Sequence, residues 1–266
     1  MDLTHISPLD APLYVLAGMV VGFLVGLTGI GGGSLMTPLL VFAFGFDPRL
    51  AIGTDLLFAA ITKTGGVLIH HGNHRSVEWR IVGWMAAGSI PATLAVLYLL
   101  EHISINAAVI KTVLGVASLA TGLAMIYYDR LARKAAASPV AIGPRFGAWT
   151  LPVTVATGLL IGVLVTLSSV GAGALGTIAL LFLYPKLPAV RIVGTDLAHA
   201  IPLTAIAGLG YLHMGSVSFP LLGFLLVGSL PGIYVGSHVS ARISEGVLRP
   251  ILATLLMGIG VKFVWA

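Results

Sequence analysis

In the apolar run Leu56-Leu-Phe-Ala-Ala-Ile-Thr-Lys-Thr-Gly65, a single lysine interrupts the hydrocarbon. Lys63 lies eight positions after Asp55, on roughly the same face of a helix. A buried ammonium needs a partner, because an ionisable side chain at membrane depth costs several kcal/mol unless it faces protein or a cavity. That partner is Asp55, Asp196 from farther along the chain, or a transported anion. A structural Lys63–Asp ion pair, or a lysine reaching toward the interface, is the plainer alternative.

The two carboxylates come as a matched pair, Gly53-Thr54-Asp55 and Gly194-Thr195-Asp196, each just inside an apolar helix. Such a pair, with Thr54 and Thr195 beside it, suits an ion or proton pathway. It suits helix capping equally well, since Asp and Thr near a helix start accept backbone N–H bonds. His199 follows Asp196 by three positions on one face, which suits an Asp–His hydrogen bond and a proton relay, with a plain structural hydrogen bond as the equal alternative. His70, His71 and His74 cluster near a helix end. No Cys, Asp or Glu completes a ligand set there, so they read as interfacial, and no metal or other cofactor is expected.

A second kind of chemistry needs only the backbone. Gly29-Ile30-Gly31-Gly32-Gly33-Ser34 breaks a long apolar stretch. A helix restarting at Ser34 presents free N–H groups and the positive end of its dipole, and an anion fits there. Ser168, Ser169, Gly171, Ala172 and Gly173 repeat the arrangement, with two hydroxyls added as donors. Paired glycine-broken helices in corresponding positions point to a transporter's binding site; close helix packing is the alternative. The glycines follow no strand and precede no Walker lysine, which excludes a nucleotide fingerprint. Ser168 or Ser169 with His199 supplies the parts of a Ser–His dyad. No nucleophile elbow or membrane metalloprotease motif accompanies them, and we expect no enzyme.

These residues must be positioned by membrane helices. Of the 266 residues 58% are hydrophobic and 9% charged, against about 25% charged in a soluble domain. The 34 glycines are dispersed through apolar runs, which excludes disorder and collagen. Without cysteine there is no disulfide, thiolate site or cysteine nucleophile. The net charge of +5 sits in short loops, where it orients a membrane protein rather than binding nucleic acid. Met1 to Pro12 lacks a Lys/Arg-rich start and a small-residue cleavage site, so the first helix is expected to be retained.

Apolar stretches run over residues 13–46, 50–69, 81–100, 105–127, 149–184, 192–212, 217–239 and 247–265. The first and fifth are too long for a hydrocarbon core of about 30 Å, and glycines near their middles predict broken hairpins of two short helices. The chain also repeats itself. Gly29 to Leu35 aligns with Ser169 to Leu175, Ile52 to Leu56 with Val193 to Leu197, and Gly88 to Pro91 with Gly228 to Pro231, at offsets of 140, 141 and 140. Residues 1–128 and 148–266 are therefore read as two homologous halves, joined by a basic linker over 129–147. With both long stretches as hairpins, Arg75, Arg80, Arg130, Arg133, Lys134, Arg145, Lys186, Arg191, Arg242 and Arg249 fall on one side and only Arg49, Lys111 and Lys262 on the other. The crowded side is cytoplasmic. Five segments per half, an odd number, predict inverted-topology repeats with both termini outside, an arrangement that goes with alternating access.

Gly26-Leu-Thr-Gly-Ile-Gly-Gly-Gly-Ser-Leu-Met-Thr-Pro-Leu39, Ile52 to Leu56, His71-Gly-Asn73, Trp79 and Gly88 to Pro91, with the repeat from Gly158 to Gly236, resemble the sulfite exporter TauE/SafE family of bacterial membrane permeases. The resemblance covers nearly the whole chain. It implies transport of sulfite, an organosulfonate or a related small sulfur anion across the plasma (inner) membrane without ATP hydrolysis. Asp55, commonly serine in that pattern, and Lys63, commonly uncharged, depart from it and imply a subgroup with its own substrate or coupling. Ala172 and Ser169 make the second glycine stretch degenerate.

The reading is thus an all-α polytopic membrane protein acting as a secondary transporter. Gly31, Gly32, Gly33, Ser34, Lys63, Ser168, Ser169, Gly171 and Gly173 hold the anion. Asp55, Asp196 and His199, with Thr54 and Thr195, couple its movement to a proton or sodium ion. Its other partner is the lipid bilayer. A passive anion channel and a membrane assembly factor are the alternatives.

Overall fold

Both over-long apolar stretches break where the glycines fall. In a computed structural model, which describes residues 10–28, 32–70, 77–103, 106–137, 147–239 and 245–265, α1 (Ala11–Thr28) is followed by a 3-10 turn at Gly32–Leu35 and a short α2 (Met36–Phe42). The second break separates α6 (Thr150–Ser168) from α7 (Ala174–Leu183). There the chain turns through positive φ at Ser169 (56°), Gly171 (95°) and Gly173 (142°). Glycine enters that region without a Cβ penalty; Ser169 does so at a cost. Gly29, Ile30 and Gly31 of the first break lie outside the described residues, as do His71 and His74.

The remaining helices are α3 (Pro48–His70), α4 (Trp79–His102), α5 (Ala107–Ala137), α8 (Ala189–His213), α9 (Phe219–Val239) and α10 (Glu245–Trp265). All regular structure among the described residues is helical. α5 runs past the apolar stretch into the expected linker, because Asp129 to Ala137 contains no Gly or Pro and is rich in Ala, Arg, Lys and Leu, good helix formers. By length and composition α4, α6, α9, Ala107–Tyr128 of α5 and Val190–His213 of α8 can each cross a membrane. Their outward faces carry Leu94, Val116, Leu160, Leu209 and Val227, all about half exposed or more, as suits a surface solvated by lipid.

The helices pack in pairs distant in the chain: α1 lies along α9, α4 along α6, α3 on α8 and α5 on α10. Lipid tails give apolar helices little reason to associate, so close backbone approach carries much of the attraction. Gly18, Gly22 and Gly26 of α1, spaced by four, face the backbone of Leu225, Ser229 and Ile233; Gly228, Gly232 and Gly236 of α9 face that of Val15, Met19 and Phe23. Gly88, Gly158 and Gly162 do the same between α4 and α6.

Candidate functional site

The short helices α2 and α7 bring one threonine each against the paired carboxylates. Asp55 Oδ2 accepts from the Thr37 backbone N–H at 3.0 Å and from Thr37 Oγ1 at 2.6 Å. Asp196 Oδ2 accepts from Thr177 Oγ1 at 2.7 Å. Thr37 and Thr177 stand at the same 140-residue offset as the glycine breaks. All four residues are buried. Capping of their own helices is overturned: the start of α3 is closed by Asp47, whose Oδ1 accepts from the backbone N–H of Arg49 at 2.9 Å. Asp55 instead serves the start of α2, from a neighbouring helix, and puts a carboxylate at a helix N-terminus where negative charge is favoured.

Thr54 and Thr195 tie each half to the other. Thr54 Oγ1 accepts from the N–H of Ser218, just before α9, at 3.1 Å. Thr195 Oγ1 accepts from the N–H of Glu78, just before α4, at 3.0 Å. Glu78 also meets Arg191 at 2.7 Å. Replacing Thr195 by Val removes the acceptor and leaves the Glu78 N–H unpaired, so Thr195→Val is expected to cost about 1–2 kcal/mol. Thermal unfolding of the purified protein in detergent reads this as a lowered midpoint, and an unchanged midpoint would show the bond to be dispensable.

Lys63 crosses from the first half into the second. Its ammonium donates to the backbone oxygen of Ala172, inside the second break. It is 7% exposed, and among the described residues no carboxylate lies within ion-pair distance of it. Asp196 and Asp55 both act on it through space. The aligned Thr204 bonds only to its own helix, at Ala200 O and Ile201 O.

The breaks themselves meet. Ser34 Oγ accepts from the Gly171 N–H at 3.3 Å. Ser168 folds back on its own chain, donating to Leu164 O at 2.6 Å and accepting from the Val170 N–H at 3.2 Å. Ser169 Oγ is buried without a hydrogen-bond partner, and so is Asp55 Oδ1. The two are neighbours, although the contact does not reach hydrogen-bond geometry.

His199 is placed otherwise than its spacing predicts. Its Nε2 pairs with Ser89 Oγ on α4 at 2.8 Å, and Asp196 turns to Thr177 on α7. Sharing a helix face brings two side chains near each other, but each follows the neighbouring helix that offers it a partner. Sequence reasoning passed over Thr37, Thr177 and Ser89. The first two were marked by the repeat offset; nothing local marks Ser89 as the partner of a histidine 110 positions away.

Helices that are apolar toward lipid, enclosing a lysine, two carboxylates and two helix breaks that meet, define an integral membrane transport protein. This chain belongs to the sulfite exporter TauE/SafE family, whose profile matches residues 14–263. It is 37% identical over 257 residues to the "Probable membrane transporter protein YjnA" of Bacillus subtilis, covering 94% of this chain and 98% of the relative. It is 28% identical to YdhB of the same organism, over 92% of this chain and 99% of the relative. A Methanocaldococcus jannaschii relative, "Probable membrane transporter protein MJ0441", is 27% identical over 92% of each chain. No solved structure matches the chain.

Proposed function

We propose that the protein is an ion-coupled secondary transporter that moves a small sulfur-containing anion, sulfite or an organosulfonate, across the bacterial plasma membrane by alternating access. The observation that carries this reading is Lys63, a buried cation from one half held by the helix break of the other. An oxyanion there would meet the ammonium, N–H groups of the breaks over Gly31 to Ser34 and Gly171 to Gly173, and the hydroxyls of Ser34 and Ser169, with Ser168 shaping the turn. Asp55, Asp196 and His199 manage the coupling ion. Thr54 and Thr195 pass its effect between halves through their bonds to the starts of α9 and α4. The halves are inverted relative to one another, with both termini periplasmic, and the exchange of packing partners between α1–α9 and α6–α4 supports that reading.

The test is uptake of labelled sulfite into proteoliposomes with and without an imposed pH gradient. Uptake raised by the gradient is expected. Flux that ignores both proton and sodium gradients would favour a channel, and no flux would favour an assembly factor.

A further inference from the structure

One lysine and two carboxylates make an awkward site for an anion. With both carboxylates ionised, Lys63, Asp55 and Asp196 sum to one negative charge. Among the described residues, α3 contributes Asp55 and Lys63 to this centre and α8 contributes Asp196 and His199; α1, α2, α6, α7 and α9 bury no charged side chain there. Arg249, the other buried cation, is stacked on Tyr128 of α5. An incoming anion therefore meets net repulsion in a desolvated setting unless a proton enters first.

The two carboxylates are held differently. Asp196 is bonded to Thr177 and has its Oδ1 packed where a Cβ on Gly176 would stand. Asp55 has both Thr37 donors on Oδ2 and none on Oδ1, which is buried. The Ser169 hydroxyl, a neighbour of this carboxyl, is likewise buried without a partner and is held by a left-handed backbone. An ionised carboxylate oxygen with no hydrogen bond is costly in such a place, and a proton on it removes the charge.

We propose that Asp55 carries a proton on Oδ1 whenever the anion binds, so that the protein is an obligatory proton–anion symporter, while Asp196 remains the counter-ion of Lys63. This rests on the transport reading above. The Oδ1–H bond forms with a proton taken from water on the loading side and breaks by release to water on the other side; no other bond changes. Direction then follows the combined gradients.

The test uses the full chain in proteoliposomes with sulfite and with 2-hydroxyethanesulfonate, whose charge does not vary with pH. With acid outside, the wild type is expected to accumulate the sulfonate on the order of tenfold per pH unit, the limit for one proton per anion. Asp55→Asn, which imitates the protonated carboxyl, is expected to keep anion exchange and lose accumulation, whereas Asp196→Asn loses both. Thr37→Val removes a hydrogen bond that favours the ionised carboxylate, so the pH at which exchange falls to half should move upward, a readout that does not depend on the folding of Asp55→Asn. Accumulation retained by Asp55→Asn, or an unmoved profile in Thr37→Val, overturns the inference. Wild-type exchange without gradient-driven accumulation overturns it alone. Absence of any wild-type exchange overturns the transport reading with it.

Discussion

Replacement of Lys63 by Met should abolish anion uptake while the protein still inserts and folds. The ammonium reaches Ala172 O across the interface of the halves and stands under the influence of both Asp196 and Asp55. Truncating the buried cation that a bound anion meets costs about 3–5 kcal/mol of binding. Expressed in the transport of a bound anion, that is a loss of at least about 100-fold. The folded protein is also less stable, because the buried Asp196 loses the nearby positive charge. The double variant Lys63→Met with Asp196→Asn separates the two effects: it should recover thermal stability in detergent but not transport. Transport restored in the double variant would reduce Lys63 to a structural ion-pair partner.

The second large effect is on the fold. Gly22 lies against the backbone of Ser229 so closely that an added Cβ would overlap its carbonyl oxygen, and backbone cannot rotate aside as a side chain can. Overpacking of a tight contact costs about 1–3 kcal/mol for small insertions. Gly22→Leu must force α1 away from α9 over several turns and is expected to leave little monodisperse protein after solubilisation, with Gly22→Ala intermediate. Gly83 and Gly223 occupy equivalent places on α4 and α9 with nothing within 4 Å of an added Cβ. Gly83→Ala should therefore be neutral or stabilising by up to about 1 kcal/mol through helix propensity. Size-exclusion profiles and melting midpoints of the three variants rank them, and equal behaviour of Gly22→Leu and Gly83→Ala would contradict the packing described.

Much of this architecture was legible in the sequence because membrane depth limits what a long apolar stretch can do. Stretches 13–46 and 149–184 had to break, and their glycines marked where. The repeat pairs Asp55 with Asp196 at an offset of 141. At 140 it also pairs Thr37 with Thr177 and Gly22 with Gly162. These matches carry no signal by themselves, since threonine and glycine are common in membrane helices and only the carboxylate or facing backbone in three dimensions gives them meaning. The partner of His199 was not legible at all: it lies on another helix, and an i, i+3 spacing to Asp196 suggested a nearer one. Nor was the meeting of Ser34 with Gly171, which depends on how the two broken hairpins dock. The continuation of α5 to Ala137 was legible from composition, but the basic charges there suggested a linker first.

The most direct test of an anion carrier built around Lys63 is counterflow: proteoliposomes loaded with unlabelled sulfite are diluted into a trace of labelled sulfite. A carrier with one site reached alternately from each side gives transient accumulation of label above equilibrium, saturable in sulfite and absent in Lys63→Met. Label that rises only to equilibrium, in linear proportion to sulfite and equally in Lys63→Met, would contradict the carrier and the site together.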